Sequence, residues 1–198
     1  MGRRSDHSRA ELEAMILAEG HAHMAQIGFA RFSAREVAKR VGYAVGTLYN
    51  IFGSYDRLIA AINTRTFDLW AEHLEKRLAT GSDDRIAALV EGYFSFASEN
   101  MNLWTAIYDH RLPPDMPIPG ALAQRRGALT DIVVREVTAA LPPGARDRAP
   151  RLARSLVATV HGHCIFALTG SFALLGEDAP LDMAIARVRE SLHAAGAA

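Results

Sequence analysis

Cysteine is nearly absent from this chain of 198 residues, in which Cys164 is the single example. One cysteine forms no disulfide within the chain, and this usage is typical of proteins in a reducing compartment. No apolar run is long enough to span a bilayer, because the best candidate, residues 155–175, is interrupted by histidine and glycine. Residues 1–14 are polar and charged, unlike a signal peptide. We therefore expect a cytoplasmic protein without a membrane partner.

Motifs that carry catalysis or hold a metal are also missing from the sequence. It has no nucleophile elbow, no glycine-rich phosphate loop and no His-x-x-x-His pair. His21 and His23 point to different faces of a helix at their spacing, and the same holds for His161, His163 and Cys164. We expect no metal, no cofactor and no enzymatic activity. An all-helical enzyme is an alternative class that no motif supports.

Strand patterns are lacking as well, since no segment sustains the alternation of apolar and polar residues that a half-buried strand requires. Helical spacing and helix-ending residues recur along the whole chain, so we predict an all-α fold. A three-helix head with a helix-turn-helix spans residues 8–54, a linking helix spans residues 55–79, and a helical body spans residues 80–198.

The most informative segment, residues 33–62, has the pattern of two short helices, a tight turn and a longer third helix. Ser33 precedes Glu36 by three residues, a capping-box spacing that begins a helix. Gly42 follows where that helix must end and the chain must turn. A second short helix then begins near Val45. This is the sequence form of a helix-turn-helix, although an ordinary pair of packed helices gives the same pattern.

The charge distribution adds weak support for a nucleic-acid partner. Residues 1–65 carry nine basic and six acidic side chains, a net charge of +3, and the remainder of the chain carries −3. A positive end suits contact with phosphate. Arg3, Arg4 and Arg9 form a basic arm that either contacts the DNA backbone or is a solvated tail.

Residues 10–62 contain a set of residues at characteristic distances from one another: Gly28, Ser33, Val37, Ala38, Gly42, Gly46, Thr47, Leu48, Tyr49, Phe52, Ser54, Asp56 and Leu58. This set resembles the motif of the TetR family of one-component repressors. The resemblance implies a dimer that binds a palindromic operator on double-stranded DNA, and a C-terminal body that binds a small-molecule effector.

In a helix-turn-helix the second helix enters the major groove, and its early exposed residues meet base edges. The candidate contacts are Ala44, Val45, Gly46, Thr47 and Asn50. In the family, the residues matching Ser33, Thr47 and Tyr49 contact phosphate and so position the protein on the DNA. Arg35 matches a position where some members read guanine, although a solvated arginine is the alternative. Tyr55 replaces a lysine that usually holds phosphate, so we expect weaker and less salt-dependent binding.

The effector pocket implied by the resemblance has nine candidate lining residues, although core packing is the usual role of aromatic residues at helical spacing: Phe67, Trp70, Tyr93, Phe96, Trp104, Tyr108, His161, Cys164 and Phe166. His161 and Gly162 also resemble the pair in a subfamily with a Trp-His-Gly motif, but Val160 stands where its tryptophan is expected. Whether His161 is structural or contacts the ligand is left open by the sequence.

The last two long helices, at about residues 151–194, are the predicted homodimer interface, the first of them continuous over residues 151–175. Their apolar residues exceed what one body readily covers: Leu156, Val160, Phe166, Leu168, Phe172, Leu175, Leu181, Ile185, Val188 and Leu192. A twofold pair places two recognition helices on a palindrome.

Together these observations predict a ligand-responsive dimeric transcriptional repressor. Effector binding would tilt the linking helix and change the spacing of the two heads. The alternative is an all-helical adaptor that binds other proteins through its apolar face and has no sequence-specific affinity for DNA.

Overall fold

The computed structural model describes residues 7–81 and 83–197, and within them the chain forms ten α-helices and no β-strand. The helices are α1 (Arg9–Ile27), α2 (Ala34–Arg40), α3 (Val45–Phe52), α4 (Tyr55–Ala79), α5 (Arg85–Glu99), α6 (Met101–Asp109), α7 (Gly120–Ala140), α8 (Ala149–Leu168), α9 (Ser171–Leu174) and α10 (Pro180–Ala194). Short 3-10 helices cover Phe29–Arg31 and Pro143–Arg148. The predicted all-α fold with an N-terminal three-helix head is confirmed.

Packing divides the chain into two compact units. Unit 1 contains the residues up to Asp68 together with Asn100–Arg125, and unit 2 contains Leu69–Glu99 and the residues from Arg126 onward. Helix α6 therefore packs within unit 1, where the Asn102 amide donates a 2.7 Å hydrogen bond to the Ala25 carbonyl of α1. The sequence had grouped α6 with residues 80–198. That functional division stays a prediction, while the packing units follow different boundaries.

Unit 1 is organised around an aliphatic core to which α1, α2, α3, α4 and α6 contribute. Its fully buried members are Ile16, Met24, Val37, Leu48, Leu58, Ile59 and Ile62. Ser8 begins α1 with a complete capping box, because its Oγ accepts from the Glu11 amide and the Glu11 carboxylate accepts from the Ser8 amide. Helices as short as those of the head are not stable in isolation, so burial of their apolar side chains in this core stabilises them.

Gly20 is buried in the middle of α1, where glycine ordinarily weakens a helix. A Cβ at this position would lie 2.9 Å from Cδ1 of Ile62, so the missing side chain allows α1 to approach α4 closely. Gly127 is also inside a helix, α7, but nothing lies within 4 Å of its hypothetical Cβ. Comparing the replacement of Gly20 with that of Gly127 therefore distinguishes the effect of helix propensity from the effect of packing.

We expect Gly127→Ala to raise the free energy of unfolding by about 0.5–1 kcal/mol, the usual difference in helix propensity between glycine and alanine. Gly20→Ala gains the same propensity but forces Ile62 to move, and should give no net increase. Urea denaturation of both variants measures the difference. A Gly20→Ala variant as stabilised as Gly127→Ala would show that the close approach is unimportant.

Unit 2 packs α8 against α10, with an aromatic group from α4 and α5 beside its aliphatic core. The rings of Trp70 and Phe96 stack at 5.1 Å between centroids, and Tyr93 contacts the Trp70 ring edge-on at 4.8 Å. The predicted continuous helix over residues 151–175 is wrong, because Gly170, with φ +74°, separates α8 from the four-residue α9.

The apolar residues assigned to a dimer surface divide into two groups. Five are buried inside unit 2, so the sequence overestimated the uncovered surface: Leu156, Val160, Ile185, Val188 and Leu192. They are core because α8 and α10 cover each other. Phe166 and Leu175 of the predicted set are exposed, and so is Leu174, which the sequence had not singled out.

Candidate nucleic-acid interface

The turn between α2 and α3 has the geometry that the sequence predicts. Ser33 is extended, and its Oγ accepts a 3.3 Å hydrogen bond from the Glu36 amide at the start of α2. Gly42 adopts φ +79°, a left-handed conformation that favours glycine, and Tyr43 N then donates to the Ala38 carbonyl at 2.9 Å. Helix α2, the turn and helix α3 therefore form a helix-turn-helix.

The capping-box spacing at Ser33 and Glu36 is only half used. The Glu36 carboxylate accepts from Arg40 Nε at 3.2 Å, and Arg40 Nη1 also donates to Glu19 at 2.9 Å. These contacts join α2 to α1, and hydrogen bonds from the Arg40 guanidinium to the two carboxylates raise its pKa. The positive charge of Arg40 is accordingly paired with the carboxylates of Glu19 and Glu36, whereas Arg35 on the first turn of α2 is exposed.

Helix α3 presents one side to the core and the other to solvent. Leu48 is fully buried, and Val45 and Tyr49 are half-buried against the same core. Exposed or half-exposed positions follow along the other side: Ala44, Gly46, Thr47 and Asn50. In the part of the chain that the structure describes, the Thr47 and Asn50 side chains have no hydrogen-bond partner. This side of α3 is thus small, polar and accessible.

Gly46 is the smallest point of that accessible side. Among the residues that the structure describes, nothing lies within 4 Å of the position that a Cβ would occupy, so no contact between them requires glycine there. Glycine also disfavours the helix in which it lies. A residue that weakens α3 without relieving any internal crowding is consistent with the close approach of an external partner.

Tyr55, which stands where the family usually has lysine, and Tyr43, in the turn between α2 and α3, both contact neighbouring side chains. Tyr55 is half-buried with its ring 6.2 Å from that of Phe32, and this burial raises the pKa of its phenol, which keeps the hydroxyl protonated. Tyr43 shares a 2.9 Å hydrogen bond between its hydroxyl and His7 Nδ1. Each tyrosine can offer a neutral hydroxyl but no positive charge.

The basic residues near α3 differ from the predicted arm. Arg9 begins α1, and its guanidinium donates a 3.1 Å hydrogen bond to the Ile51 carbonyl near the end of α3. Arg3 and Arg4 lie outside the described residues. Arg57, which the sequence had not singled out, is exposed on the first turn of α4, where its Cδ packs 3.4 Å from a hypothetical Cβ of Gly53. The sequence could have pointed to Arg57 through its position, which is two residues after Tyr55.

The nine candidate effector residues fall in both packing units. Phe67, Trp104 and Tyr108 belong to unit 1, where Phe67 and Trp104 are buried. The other six belong to unit 2: Trp70, Tyr93, Phe96, His161, Cys164 and Phe166. Among these six, the structure joins Trp70, Tyr93 and Phe96 by ring contacts, and the hydroxyl of Tyr93 shares a 2.9 Å hydrogen bond with Nδ1 of His161.

The remaining polar candidates of unit 2 are explained by burial. Burial lowers the pKa of His161, so its imidazole is neutral near pH 7. Burial raises the pKa of the Cys164 thiol to about 12, so the thiolate needed for reaction or metal binding does not form. Phe166, in contrast, is 46% exposed on α8.

Unit 2 contains an apolar cavity of about 50 Å³. It is lined by side chains from five helices: Leu74, Ile86, Leu89, Val90, Tyr93, Val133, Val137, Leu156, Val157, Val160 and Val188. Tyr93 is the only predicted effector residue among them. Sequence reasoning missed the others because valine and leucine at helical spacing look the same whether they line a cavity or fill a core.

A buried carboxylate joins three helices near this cavity. Glu136 of α7 is 4% exposed and accepts from Arg85 Nε at 2.6 Å, from Arg85 Nη2 at 2.8 Å and from Arg135 Nε at 2.8 Å. Arg135 also forms a bidentate pair with Glu75 of α4, at 2.8 and 3.1 Å. Arg85 Nη1 donates to the Leu78 carbonyl at 3.1 Å. Hydrogen bonds from Arg85 are the largest cause of the lowered Glu136 pKa.

Residues 7–81 and 83–197 contain neither a metal-binding cluster nor a helix that could span a membrane. No three histidine, cysteine or acidic side chains are grouped so that they would hold a metal ion. No helix in these ranges has the length and apolar character needed to cross a bilayer.

Comparison with protein families gives two matches that together cover most of the chain. Residues 16–62 match the model of the bacterial regulatory proteins of the tetR family, and residues 86–190 match a tetracyclin repressor-like C-terminal domain. The second match alone spans more than half of the sequence. A comparison with curated proteins found no match.

Solved structures share the fold over nearly the whole chain. A protein with unknown function from Rhodococcus sp. RHA1 has 22% identity and a TM-score of 0.73, covering 98% of each chain. A TetR-family transcriptional regulator from Streptomyces coelicolor has 19% identity and a TM-score of 0.60, covering 94% of this chain and 98% of its own. The multidrug binding protein EbrR, complexed with imidazole, has 18% identity and a TM-score of 0.61, covering 94% and 96%.

Proposed function

Since the chain belongs to the TetR family of ligand-responsive, DNA-binding transcriptional regulators, we propose that it is a repressor which a small molecule releases from a palindromic operator. The single observation that carries this proposal is the accessible side of α3, which is small and polar at Ala44, Gly46, Thr47 and Asn50. Leu48 anchors the opposite side in the core. A recognition helix needs this combination of a fixed position and free polar edges.

Base readout is assigned to the first half of α3. The Asn50 amide carries the donor and acceptor that pair with adenine, and the exposed methyl group of Ala44 suits thymine. Val45 packs against the core of unit 1, so only the accessible part of its side chain can add to the thymine contact. The Thr47 hydroxyl, half-exposed one turn earlier than Asn50, suits a base edge or a phosphate. Exposed Arg35 on α2 suits guanine, since a guanidinium can bond O6 and N7 together.

Phosphate contacts are assigned to groups around the two short helices. Ser33 and Tyr49 offer hydroxyls, and the free amides at the start of α2 suit an anion. Tyr55 adds a neutral hydroxyl near the start of α4. Exposed Arg57, on the same turn, supplies a positive charge that Tyr55 lacks.

The Tyr55→Lys variant tests the phosphate assignment. A lysine at this position adds one cationic phosphate contact, so the plot of log affinity against log salt concentration should steepen by about one unit. Fluorescence anisotropy with operator DNA at several salt concentrations measures the slope. Tyr55→Phe, the control, should leave the slope unchanged. An equal slope for the parent and Tyr55→Lys would remove residue 55 from the interface.

Dimerisation is assigned to the C-terminal helices, about residues 151–194. Support comes from exposed Phe166, Leu174 and Leu175, with Leu174 89% and Leu175 68% accessible. Large apolar side chains that remain exposed to water favour association with another surface. Two copies related by a twofold axis would present two α3 helices to half-sites about one turn of DNA apart.

The effector is assigned to unit 2, and release to a competition between DNA and effector for two states of the dimer. Helix α4 supports this coupling, because its residues 55–68 belong to unit 1 and its residues from Leu69 to unit 2. Such a regulator acts where the chromosome is, so we assign it to the cytoplasm. No observation favours the adaptor alternative.

DNase footprinting over the DNA upstream of the protein's own gene tests this proposal. We expect protection of a sequence with twofold symmetry, whose half-sites are about 10 base pairs apart or a multiple of that. Size-exclusion chromatography with light scattering should give twice the chain mass. A protected site without symmetry, or a monomer that protects it equally well, would contradict the proposal.

A further inference from the structure

The cavity of unit 2 is lined almost completely by hydrocarbon. Ten of its eleven lining residues are leucine, isoleucine or valine, and the eleventh is Tyr93. No arginine, lysine, aspartate or glutamate is part of the lining. A charged ligand in this cavity would lose its hydration without gaining a counterion, whereas hydrocarbon would be transferred from water to hydrocarbon.

The charged groups closest in sequence to the lining are already paired. Glu136 precedes the lining residue Val137, but its carboxylate is occupied by Arg85 and Arg135. Arg135 is in turn paired with Glu75, which follows the lining residue Leu74. A ligand that recruited any of these charges would have to break a satisfied network.

The polar side chain in the cavity lining belongs to a neutral pair. Tyr93 contributes the only polar side chain of the lining, and its hydroxyl shares a hydrogen bond with His161. Burial lowers the pKa of His161, so the pair carries no net charge near pH 7. A hydroxyl or carbonyl group on a ligand can exchange hydrogen bonds with this pair, while an ionised group finds no opposite charge there.

We propose that the effector of this regulator is a compact, uncharged and largely apolar molecule with at most one hydrogen-bonding group, and that it binds in the unit 2 cavity beside Tyr93. This inference rests on the proposed function, since it names the ligand class of the effector site. The neutral, aliphatic lining selects the class, and the Tyr93–His161 pair orients the single polar group.

The size of the cavity adds a conformational requirement. Its volume of about 50 Å³ is well below the roughly 150 Å³ of an engineered apolar cavity that binds benzene. Ligand entry therefore has to move the walls apart. Ile86, Val133 and Val157 are the half-buried lining residues, so the side formed by α5, α7 and α8 is where the cavity meets the surface.

The same movement reaches the ion network that Glu136 forms with Arg85, Arg135 and Glu75. Leu74, Ile86 and Val137 line the cavity, and each is the sequence neighbour of a network residue, Glu75, Arg85 and Glu136 respectively. Because Glu75 and the Leu78 carbonyl belong to α4, displacement of these walls pulls on the end of that helix. Occupancy of the cavity is thereby linked to α4 through direct contacts.

Three probes with the same six-carbon chain test the ligand class: 1-hexanol, hexanoate and hexylamine, each titrated into the full-length protein at pH 7.5. A ligand that binds only the folded state raises the melting temperature. We expect 1-hexanol to raise it in a saturable manner and to bind at least about 100-fold more tightly than either ion, because burial of an unpaired charge is costly. Equal or greater stabilisation by hexanoate or hexylamine would overturn the inference.

Cavity-filling variants locate the binding site. Val157→Phe narrows the surface side of the cavity at a half-buried position, and we expect it to weaken 1-hexanol binding at least tenfold. Val133→Phe, on α7, is the second variant and keeps the test valid if the first misfolds. Ile118→Phe, at an exposed position of unit 1 outside the cavity lining, should leave binding unchanged. An unchanged 1-hexanol affinity in a folded Val157→Phe or Val133→Phe protein would place the binding elsewhere.

Operator binding, measured in parallel, separates the two levels of the proposal. If the protein protects a symmetric operator and hexanoate or hexylamine releases it, the ligand class is wrong and the repressor function stands. If the protein binds 1-hexanol in the cavity but protects no operator, the proposed function fails and the cavity chemistry stands. Release of the operator by 1-hexanol, but not by hexanoate or hexylamine, supports both the repressor function and the ligand class.

Discussion

The Gly46→Ala variant is expected to fold more stably than the parent chain and to bind its operator at least about tenfold more weakly. Stability should rise because alanine favours a helix by about 0.5–1 kcal/mol over glycine, and nothing within 4 Å of the new Cβ opposes it. Affinity should fall because the added methyl group stands on the accessible side of α3 between the backbone and a base edge, where one lost contact is worth about 1–3 kcal/mol. Urea denaturation and fluorescence anisotropy measure the two effects.

Gly127→Ala is the matched control for this variant. Gly127 also lies inside a helix with nothing within 4 Å of a hypothetical Cβ, but α7 is not part of the helix-turn-helix. We expect the same gain in stability and no change in operator affinity. If Gly46→Ala also binds DNA like the parent, α3 does not approach DNA closely through this side, and the assignment of base readout to Ala44, Thr47 and Asn50 loses its support.

The Glu136→Gln variant should lose about 2–3 kcal/mol of the free energy of unfolding at pH 7. Glutamine keeps the size of the side chain but removes the charge that Arg85 and Arg135 share. Breaking a buried ion pair costs about 3–5 kcal/mol, and a smaller loss is expected here because the two arginine side chains are 46% and 50% exposed. Urea denaturation at pH 7 measures the loss. Glu190→Gln removes the exposed pair with Arg187 and should cost no more than about 0.5 kcal/mol.

The difference between the parent and Glu136→Gln should depend on pH. The folded-state pKa of Glu136 lies below its ordinary value of 4.5, chiefly because Arg85 donates hydrogen bonds to the carboxylate. The stability that Glu136 contributes is therefore complete above about pH 4.5 and is lost as the pH falls through the folded-state pKa. Denaturation at pH 7 and near pH 3 should show the parent approaching the variant. A constant difference over this interval would mean that the carboxylate is not the cause.

The helix-turn-helix was predictable because its determinants are local. The Ser33 cap, the glycine at 42 and the buried Leu48 lie within 16 residues of one another, and each acts through backbone geometry or a single helix face. The same holds for the capping box at Ser8 and Glu11. Features that depend on adjacent residues follow from general rules of capping and periodicity.

The body was predictable only as a set of helices. Arg85 and Glu136 are 51 residues apart in sequence, and no periodic pattern indicates that they meet. The cavity lining comes from five helices and consists of residues that a packed core would also contain. Of the residues expected at the effector site, only Tyr93 lines this cavity, because large rings fill space and an apolar cavity remains where smaller side chains meet. Whether the others contact an effector stays a prediction.

The break between α8 and α9 illustrates the same limit. Apolar spacing continues through residues 151–175, and a lone glycine within a helical pattern does not by itself end a helix. Gly170 does so here by adopting φ +74°, and the chain after it forms a separate short turn of helix. Helix length was therefore decided by one backbone angle that the hydrophobic pattern does not specify.

Affinity for the footprinted operator, compared with a duplex of identical length and composition but permuted sequence, tests the central claim most directly. Fluorescence anisotropy at a single physiological salt concentration suffices, because backbone attraction is the same for both duplexes. A regulator that reads bases through α3 should bind the operator about 1,000-fold more tightly or better. Equal affinity for the two duplexes would contradict the account, since it would leave only contacts to phosphate.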